Sequence, residues 1–450
     1  MYIVVIGLGE VGKHLLAEFD REGHDVVAID ASSAAVQYAE DHFDVMTLHG
    51  YGASHDLLSK AGVDRAELVV AVTDNDEVNL IAALAAKQLG ARRVIARAQG
   101  AHWAERAAGV RYGLLGVDVV INPRVLVAQE LARVARSHGA CEVVDLAQSR
   151  VELVQMDLHE RTRGLGKPLS TLDLPRKTLI AAIVRASEVF VPGGADVLAQ
   201  GDRIYLIGHS DDVVEAEDLF SSRREAGRVC IVGGGVIGRA MAASLVDQGV
   251  QVTVFEQNRE VAEHLSADLR PVTVVHGDGT DGALLEEEEV ETFDLFAAVT
   301  AADEVNLMAA LLAKRLGVQR TAAVVQRANY LPIYRQLGVD IVLSPRTVAS
   351  DHVLRYARID SLHSLHVLED GQAEVVELHV PPDCAATGMP LRRLDVPRGA
   401  LVAAIVRGDE VVIPRGEDEV RAGDHVIVMT TRQARPAVQR LFRVPSRGGR

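Results

Sequence analysis

The chain has few cysteines, few aromatic residues and no surplus of positive charge, and each shortage excludes a class of protein. Its three cysteines, Cys141, Cys230 and Cys384, are far apart and form no CxxC or Cys/His cluster, so neither a disulfide framework nor a structural zinc site is expected. This fits a reducing cytosol. The formal net charge of −16 argues against nucleic acid as a partner, because its phosphates would be repelled. Aromatic residues make up only 4%, so Val, Leu, Ile and Ala must fill the cores.

Membrane-spanning and catalytic signatures are also missing from the sequence. No apolar run approaches the roughly 20 residues that a transmembrane helix needs. The N-terminal segment MYIVVIGLGE has no basic region before its apolar run, so a buried strand is expected there and not a signal peptide. We find no HExxH motif, no Walker lysine loop and no Ser/His/Asp arrangement, which predicts ligand binding without turnover.

What the chain does contain is one glycine-rich signature twice. GLGEVG (7–12) follows the N-terminal apolar run, and GGGVIG (233–238) follows 226 residues later. The segments downstream recur in the same order, and AVTDNDEVNLIAALAAKQLG (71–90) matches AVTAADEVNLMAALLAKRLG (298–317) at 15 of 20 positions. The repeat predicts a duplicated nucleotide-binding unit.

Each half of the chain is predicted to hold two domains. Short apolar runs alternate with helical patterns in the first part of each half, which is typical of a doubly wound, Rossmann-like parallel sheet. Short β-type runs and a closing helix then indicate a small α+β domain. The fold class is therefore α/β, with two Rossmann-like domains that are each followed by a small domain. The predicted boundaries are 1–138, 142–221, 227–358 and 365–445.

The glycine loops are the predicted phosphate sites. In GxGxxG the first glycine permits a tight turn, the second lets a pyrophosphate approach the backbone, and the third lets the helix pack closely on the strand. The helix N-terminus then offers unpaired N–H groups to phosphate. A glycine-rich turn without a ligand is the alternative. The predicted contacts are Gly7, Leu8, Gly9, Glu10, Val11 and Gly12 in the first half, and Gly233, Gly234, Gly235, Val236, Ile237 and Gly238 in the second.

An acidic residue is expected to end the second strand of each half. Asp30 and Glu256 each lie 18 residues after the last glycine of their loop, where a carboxylate can accept hydrogen bonds from ribose hydroxyls. A 2′-phosphate beside either acid would be repelled. The pattern therefore favours NAD(H), or an adenine nucleotide such as ATP or ADP, over NADP(H).

Polar residues at the ends of later strands complete the candidate sites. Thr73 and Asp74 follow the fourth strand, and Thr300 takes the place of Thr73 in the second copy. Arg97 and Arg327 are both expected to end the fifth strand, where a guanidinium can reach a phosphate, with a surface ion pair as the alternative.

Other repeated acids have a structural explanation. Asp76 and Asp303 are expected to cap the helix that follows the fourth strand, rather than to contact a ligand. Asp202 and Asp424 repeat in the small domains, where a Gly-Asp turn before a strand is the first explanation and a small-ligand site the second.

The two copies differ at the predicted rim. The loop after the third strand reads HGYG in the first copy and HGDG in the second, so Tyr51 stands where Asp278 stands. Asp74 is likewise replaced by Ala301. These differences predict two sites of unequal affinity or ligand preference.

The paired GxGxxG loops, the paired AVTxxDExN segments and the paired PR-containing helices, each set followed by a small domain, resemble the TrkA-type proteins. Members of that family are cytosolic regulatory subunits of Trk potassium uptake systems, built from RCK (also called KTN) nucleotide-binding domains and TrkA-C domains. The resemblance covers Met1 to about Phe442. It implies the nucleotide contacts given above, and Asp278 fits the GD pattern that many RCK domains carry, whereas Tyr51 departs from it.

The resemblance also implies partners and a location. It implies peripheral association, at the inner face of the membrane, with a membrane-embedded Trk-type potassium channel subunit. It implies dimers or tetramers that assemble through the nucleotide domains and the helices predicted at 123–137 and 345–356. We therefore expect a non-enzymatic regulatory subunit that binds NAD(H), or ATP and ADP. An NAD-dependent oxidoreductase and a scaffold with vestigial glycine loops are the alternatives.

Overall fold

The structure is a computed structural model that describes residues 1–100, 109–136, 140–147, 150–160, 162–186, 188–220, 227–357, 364–368, 372–408 and 410–442. The chain divides into two compact units. One unit combines Met1–Ala132 with Ala226–Ala357, and the other combines Arg133–Glu225 with Arg358–Arg450. The predicted domain boundaries at 138, 221, 358 and 445 lie outside the described residues.

The first Rossmann-like domain contains a seven-stranded sheet. Its elements are β1 (Tyr2–Ile6), α1 (Glu10–Arg21), β2 (Asp25–Asp30), α2 (Ser33–His42), β3 (Met46–His49), α3 (His55–Lys60), β4 (Leu68–Ala71), α4 (Asp76–Leu89), β5 (Val94–Arg97), β6 (Val110–Leu114), β7 (Val117–Ile121) and α5 (Pro123–Arg136). The strand order is β3-β2-β1-β4-β5-β7-β6, and only β6 pairs antiparallel. The central strand β1 is buried on both faces, which explains its unbroken apolar run.

The first small domain is an antiparallel sheet closed by one helix. Its elements are β8 (Ala140–Leu146), β9 (Val151–Asp157), β10 (Thr178–Arg185), β11 (Glu188–Phe190), β12 (Arg203–His209) and α6 (Ser210–Phe220). The strand order is β11-β10-β12-β9-β8, so strands that are distant in sequence pair in the middle of the sheet.

The second Rossmann-like domain repeats the first without the antiparallel edge strand. Its elements are β13 (Arg228–Val232), α7 (Val236–Val246), β14 (Gln251–Glu256), α8 (Arg259–Asp268), β15 (Thr273–His276), α9 (Gly282–Glu287), β16 (Leu295–Ala298), α10 (Asp303–Leu316), β17 (Thr321–Val324), α11 (Leu331–Gln336), β18 (Ile341–Leu343) and α12 (Pro345–Ala357). The six strands are parallel, in the order β15-β14-β13-β16-β17-β18.

The second small domain has the same design as the first. Its elements are β19 (Ser364–Leu368), β20 (Ala373–His379), β21 (Ala400–Arg407), β22 (Glu410–Val412), β23 (His425–Thr431) and α13 (Arg435–Leu441). The two small domains share one apolar core, in which Ile207 and Ala182 of the first cluster with Val375 and Ile427 of the second. The predicted α/β fold class, with two doubly wound sheets and two small domains, is confirmed.

The strand β6 is an element of the first Rossmann-like domain that the apolar pattern does not predict. Its sequence, VRYGL, contains an arginine and a glycine, and it lies at the sheet edge beside β7. A strand that is not buried on both faces carries no continuous apolar run, so periodicity gives it little signal.

Each small domain is stabilised by a buried aspartate that pairs with an arginine. Arg185 donates to both carboxylate oxygens of Asp202, at 2.8 and 2.7 Å, and the Ala199 N–H donates to the same carboxylate at 2.8 Å. Arg407 and Asp424 form the same pair in the second copy. The Asp202 carboxylate is occupied by these donors, which supports the turn explanation over a ligand site. Burial alone would raise the pKa of Asp202, but the hydrogen bonds from Arg185 and Ala199 outweigh it and lower that pKa.

The Arg185–Asp202 pair should make the stability of the first small domain depend on pH. Because the pKa of Asp202 is lowered in the folded chain, the stabilisation is present above the unfolded value of about 3.9 and is lost as pH falls through the folded value. We expect Arg185→Met to destabilise this domain by about 3 kcal/mol at pH 7, since it leaves a buried carboxylate without its charge partner. The difference from wild type should narrow as pH falls from 7 toward 3.

Urea unfolding with pulsed hydrogen exchange of β10 and β12 peptides measures this difference. The control is Arg392→Met, which removes an ion pair to Glu417 whose side chains are 55% and 72% exposed. The free energy of unfolding of that variant should fall by less than about 1 kcal/mol. A loss of stability in Arg185→Met that stays constant with pH would show that the Arg185–Asp202 ion pair is not its cause.

Candidate nucleotide sites

The first glycine loop joins β1 to α1 in a conformation that only glycine permits at two positions. Gly7 has a φ of +99° and its N–H donates to the Ile29 carbonyl at 2.8 Å. A Cβ on Gly12 would overlap the carbonyl oxygen of Gly7. Gly9 is different, because a Cβ there would meet no atom within 4 Å. The open space above Gly9 is where a ligand can approach the backbone.

The second glycine loop has the same geometry. Gly233 has a φ of +108°, and a Cβ on Gly238 would overlap the Gly233 carbonyl oxygen. The space above Gly235 is open. Neither Gly9 nor Gly235 offers a side chain to cap the helix that follows, so the first-turn N–H groups of α1 and α7 are available to an anion.

Asp30 and Glu256 end β2 and β14, as expected, and each carboxylate is tied to its glycine loop. The Leu8 N–H donates to one oxygen of Asp30 at 2.6 Å, and the Ser32 N–H donates to the other at 2.7 Å. Glu256 accepts from Gly234 at 2.7 Å in the same way. An ionised carboxylate has about four lone-pair sites, so each acid keeps acceptor capacity for ribose hydroxyls.

A buried asparagine that the sequence did not single out organises the rim of each site. The Asn79 side chain is fully buried, accepts from the N–H and hydroxyl of Thr73, and donates to the carbonyls of Thr73 and Arg97. Asn306 makes the same contacts with Thr300. Thr73 and Thr300 therefore have their side chains fixed within the protein. The signal was present in the repeated DEVN segments, where a polar residue interrupts an apolar helix face.

The prediction that Asp76 caps the helix after the fourth strand is wrong. Asn75 is the capping residue, and its side chain accepts from the Val78 N–H at 2.8 Å. Asp76 is the first residue of α4, and its carboxylate accepts instead from the N–H groups of Gln99 and Gly100, at 2.9 and 2.8 Å. It thereby ties α4 to the loop after β5.

Arg97 ends β5 on the same rim, as expected. Its guanidinium donates to the Thr73 carbonyl at 2.7 Å, and its buried Nε has no hydrogen-bond partner among the described residues. Burial lowers the pKa of the Arg97 guanidinium. The charges of Asp76 and Asp74 oppose that shift, whereas those of Arg346 and Arg124 add to it.

Arg327 does not occupy the position of Arg97, so the expected equivalence is wrong. The Asn79 amide donates to the carbonyl of Arg97, and the Asn306 amide donates to that of Val324, which shows that Val324 is the counterpart. The strand β17 ends at Val324, three residues before Arg327. The matching repeat ends before this point, and Arg97 lies on a strand whereas Arg327 lies in a loop.

Arg327 instead lies in the loop after β17. Its guanidinium donates to the Tyr330 hydroxyl at 2.9 Å. Asp303, the first residue of α10, accepts from the N–H of Gln326 at 2.7 Å, so it too ties helix to loop rather than capping the helix. The N-cap of α10 is Ala302, which offers no side-chain acceptor.

The loops after the third strands differ in what they expose. Tyr51 is 57% exposed. Asp278 is also exposed, and its carboxylate accepts hydrogen bonds from the N–H and hydroxyl of Thr280, at 2.9 and 2.7 Å. Asp74 is exposed and lines a shallow cleft with Asn75, Asp76, Glu77, Gln99 and Arg124.

Neither a cluster of metal ligands nor a membrane-spanning helix is found in the described part of the chain. Among those residues no group of three or more His, Cys, Asp or Glu side chains could hold a metal ion. None of the helices described is both long and apolar enough to cross a membrane.

Two Rossmann-like domains with open glycine loops, each followed by a small antiparallel domain, define a class of proteins with a duplicated dinucleotide-binding fold. Family models agree with that class. The TrkA-N domain matches residues 3–123 and 229–345, and the TrkA-C domain matches residues 153–221 and 375–443. The chain belongs to the TrkA family, as the sequence resemblance predicted.

Curated relatives match the chain over nearly its whole length. A Trk system potassium uptake protein TrkA homolog from Archaeoglobus fulgidus is 36% identical, covering 98% of this chain and 100% of the relative. The Trk system potassium uptake protein TrkA of Halomonas elongata is 32% identical, covering 99% of both. These are names of potassium uptake proteins and not of enzymes, which confirms the prediction that the chain is not an enzyme.

Solved structures share the fold at low sequence identity. A crystal structure of the GsuK RCK domain has a TM-score of 0.60 at 19% identity, covering 98% of this chain and 94% of that chain. The GsuK channel bound to NAD has a TM-score of 0.62 at 19% identity, covering 98% and 78%. At this identity the likeness shows the fold alone.

The glycine loops offer a test that separates folding from ligand binding. Because a Cβ at Gly9 or Gly235 meets no protein atom, Gly9→Val and Gly235→Val should fold with nearly unchanged melting temperature. The added side chain should nevertheless block the approach of a phosphate and weaken nucleotide binding at that loop at least about tenfold. Calorimetric titration of each variant with NADH and ATP measures the effect.

The matched comparison is Gly12→Val, in which the new side chain collides with the Gly7 carbonyl oxygen. That variant should lose stability as well as binding. Undiminished nucleotide binding by a folded Gly9→Val/Gly235→Val double variant would show that these loops hold no phosphate.

Proposed function

We propose that the chain is a nucleotide-binding regulatory subunit that gates a membrane-embedded Trk-type potassium uptake channel from its cytoplasmic face. The observation that carries the proposal is the presence of two intact glycine loops, each tied to a strand-end acid, in a member of the TrkA family. Relatives that cover the whole chain are named as Trk system potassium uptake proteins. The proposed role in potassium uptake therefore rests on family membership and not on a pore in this chain.

The proposed ligand is NAD(H), with ATP and ADP as the alternative. Asp30 and Glu256 keep lone pairs for ribose hydroxyls and would repel a 2′-phosphate, which disfavours NADP(H). A fold neighbour, the GsuK channel, has been solved with NAD bound.

The proposed contacts keep the residues predicted from the sequence. In the first site these are the loop 7–12, Asp30, Thr73, Asp74 and Arg97, and in the second the loop 233–238, Glu256, Asp278, Thr300 and, from the loop after β17, Arg327. The four-domain division at 1–138, 142–221, 227–358 and 365–445 belongs to the same proposal.

The proposed mechanism is a shift between two conformations of the protein. A nucleotide can shift that equilibrium only by binding one conformation more tightly than the other. A coupling of roughly 1–3 kcal/mol, or about 5–150-fold in affinity, is typical between such sites. The protein would pass the change to its channel partner at the inner face of the membrane, as a homo-oligomer assembled through the Rossmann-like domains and the helices α5 and α12.

Removing the strand-end acids tests the proposal. We expect Asp30→Ala and Glu256→Ala to weaken NADH binding about tenfold at the altered site, because each loses the acceptor for ribose. The same variants should lose nucleotide control of potassium uptake in vesicles that contain the channel subunit. Asp30→Asn should be intermediate, since its amide oxygen can still accept from the Leu8 or Ser32 N–H.

The control is Asp56→Ala in the same Rossmann-like domain, whose side chain is 94% exposed and lies on α3. It should leave binding and uptake unchanged. Folded acid variants with full nucleotide affinity and normal uptake would favour a scaffold. Steady oxidation of NADH in the presence of a small carbonyl compound would favour an oxidoreductase.

A further inference from the structure

Three neighbouring strands of the first sheet end at the same edge, and each contributes a different part of the candidate site. The glycine loop follows β1, Asp30 ends β2, and a loop of residues 50–54 follows β3. β1 pairs with β2 and β2 pairs with β3, so the three parts lie side by side. In a nucleotide the ribose joins the phosphates to the base. A nucleotide with its phosphates at Gly9 and its ribose at Asp30 therefore directs its base toward the loop 50–54.

The backbone of this loop is held on both sides of Tyr51. The Gly50 N–H donates to the Asp30 carbonyl at 2.8 Å, and the Ser54 N–H donates to the Tyr51 carbonyl at 2.9 Å. Gly52 packs so closely on the end of β1 that a Cβ there would lie 2.3 Å from a side-chain atom of that strand. The position of Tyr51 next to Asp30 is therefore fixed by the backbone.

The side chain of Tyr51 makes no hydrogen bond and no ring contact with another described residue, and it is 57% exposed. Tyr38, an exposed tyrosine of the same domain, is different. Its ring stacks on His42 with the ring centroids 4.1 Å apart, and the Lys13 Nζ lies 4.3 Å from its centroid. Because a tyrosine side chain has only two torsions to fix, the ring of Tyr51 can be ordered on a ligand at low entropic cost.

The second copy keeps this loop but changes the side chain at its tip. Gly277 and Gly279 contact the ends of β14 and β13, as their counterparts contact β2 and β1. Asp278 stands in place of Tyr51, and its carboxylate accepts from the N–H and hydroxyl of Thr280. The two loops therefore share a backbone and differ in chemistry, with an exposed aromatic ring in the first and a hydrogen-bonded carboxylate in the second.

We propose that Tyr51 is the base-stacking residue of the first site, where its ring packs on the face of an adenine whose ribose is held by Asp30. The inference rests on the proposed function, because it assumes that the first glycine loop binds a nucleotide. Loss of one base–aromatic stack lowers affinity about 5- to 150-fold. Because a purine offers a larger face than a pyrimidine, the first site selects adenine nucleotides. The second site has no ring at this position to make that choice.

The test uses the full chain with the second loop blocked by Gly235→Val, so that calorimetry reports the first site. In this background Tyr51→Ala should weaken ADP binding about 10- to 100-fold and UDP binding less, so the preference for ADP over UDP falls. Tyr51→Phe should bind ADP within about twofold of the parent, because the ring makes the contact and the hydroxyl does not.

A tryptophan at the same position gives a spectroscopic signature of stacking. The chain has one tryptophan, Trp103, so the variant Tyr51→Trp adds a second fluorophore at the tip of the loop. Adenine stacked on an indole quenches its fluorescence. Saturating ADP should therefore quench Tyr51→Trp more than the parent, and the variant should bind ADP at least as tightly as the parent.

The control is Tyr38→Ala, which removes an aromatic ring from the same domain but lies on α2. It should leave the affinities for ADP and UDP unchanged. Circular dichroism melts should show every Tyr51 variant folded with nearly the melting temperature of the parent, because the side chain is exposed.

The outcomes distinguish this inference from the proposed function. Equal losses for ADP and UDP in Tyr51→Ala, a loss in Tyr51→Phe as large as that in Tyr51→Ala, or no added quench in Tyr51→Trp would overturn the inference while nucleotide binding itself stands. Binding by the wild type that disappears in the Gly235→Val background would do the same, since the first site would then be empty. Absence of nucleotide binding in the wild type would overturn the function and the inference together.

Discussion

The close approach of the first helix to the glycine loop is the constraint on which both candidate sites depend. It exists because Gly12 and Gly238 have no Cβ, so the helix can lie against the carbonyl of Gly7 or Gly233. That contact fixes the helix N-terminus, and the N-terminus fixes the direction of the free N–H groups. Asp30 accepts a hydrogen bond from the same loop, so the ribose-facing and phosphate-facing groups are held as one unit.

Duplication has kept the framework of the two Rossmann-like domains and varied the rim. Asn79 and Asn306 make nearly identical networks, because an unsatisfied polar group in the core would be costly in either copy. The residues that face outward have fewer neighbours to satisfy. The exposed Tyr51 stands in place of Asp278, and at the end of the fifth strand the partly buried Arg97 of the first copy is matched by the buried Val324 of the second. The two candidate sites therefore share one backbone geometry but differ in the charges around it.

The small domains obey another constraint, which is a core shared between copies. Ile207 and Ile427 belong to one apolar cluster, so neither sheet buries that face alone. The buried Asp202 and Asp424 are each matched by an arginine and a backbone N–H, which allows a charge to lie in the interior of a domain with few aromatic residues.

The sequence by itself determined the duplicated α/β fold, the two glycine loops and the acids Asp30 and Glu256. These features follow from local rules, since loop glycines, apolar runs and an acid at a fixed spacing act within about 30 residues. Only the tertiary structure decided that Val324 matches Arg97, that Asp76 holds the loop after β5, and that Arg346 reaches Glu10 from the other copy. Each of those facts rests on a side-chain contact between different elements, and neither periodicity nor motif spacing specifies such a contact.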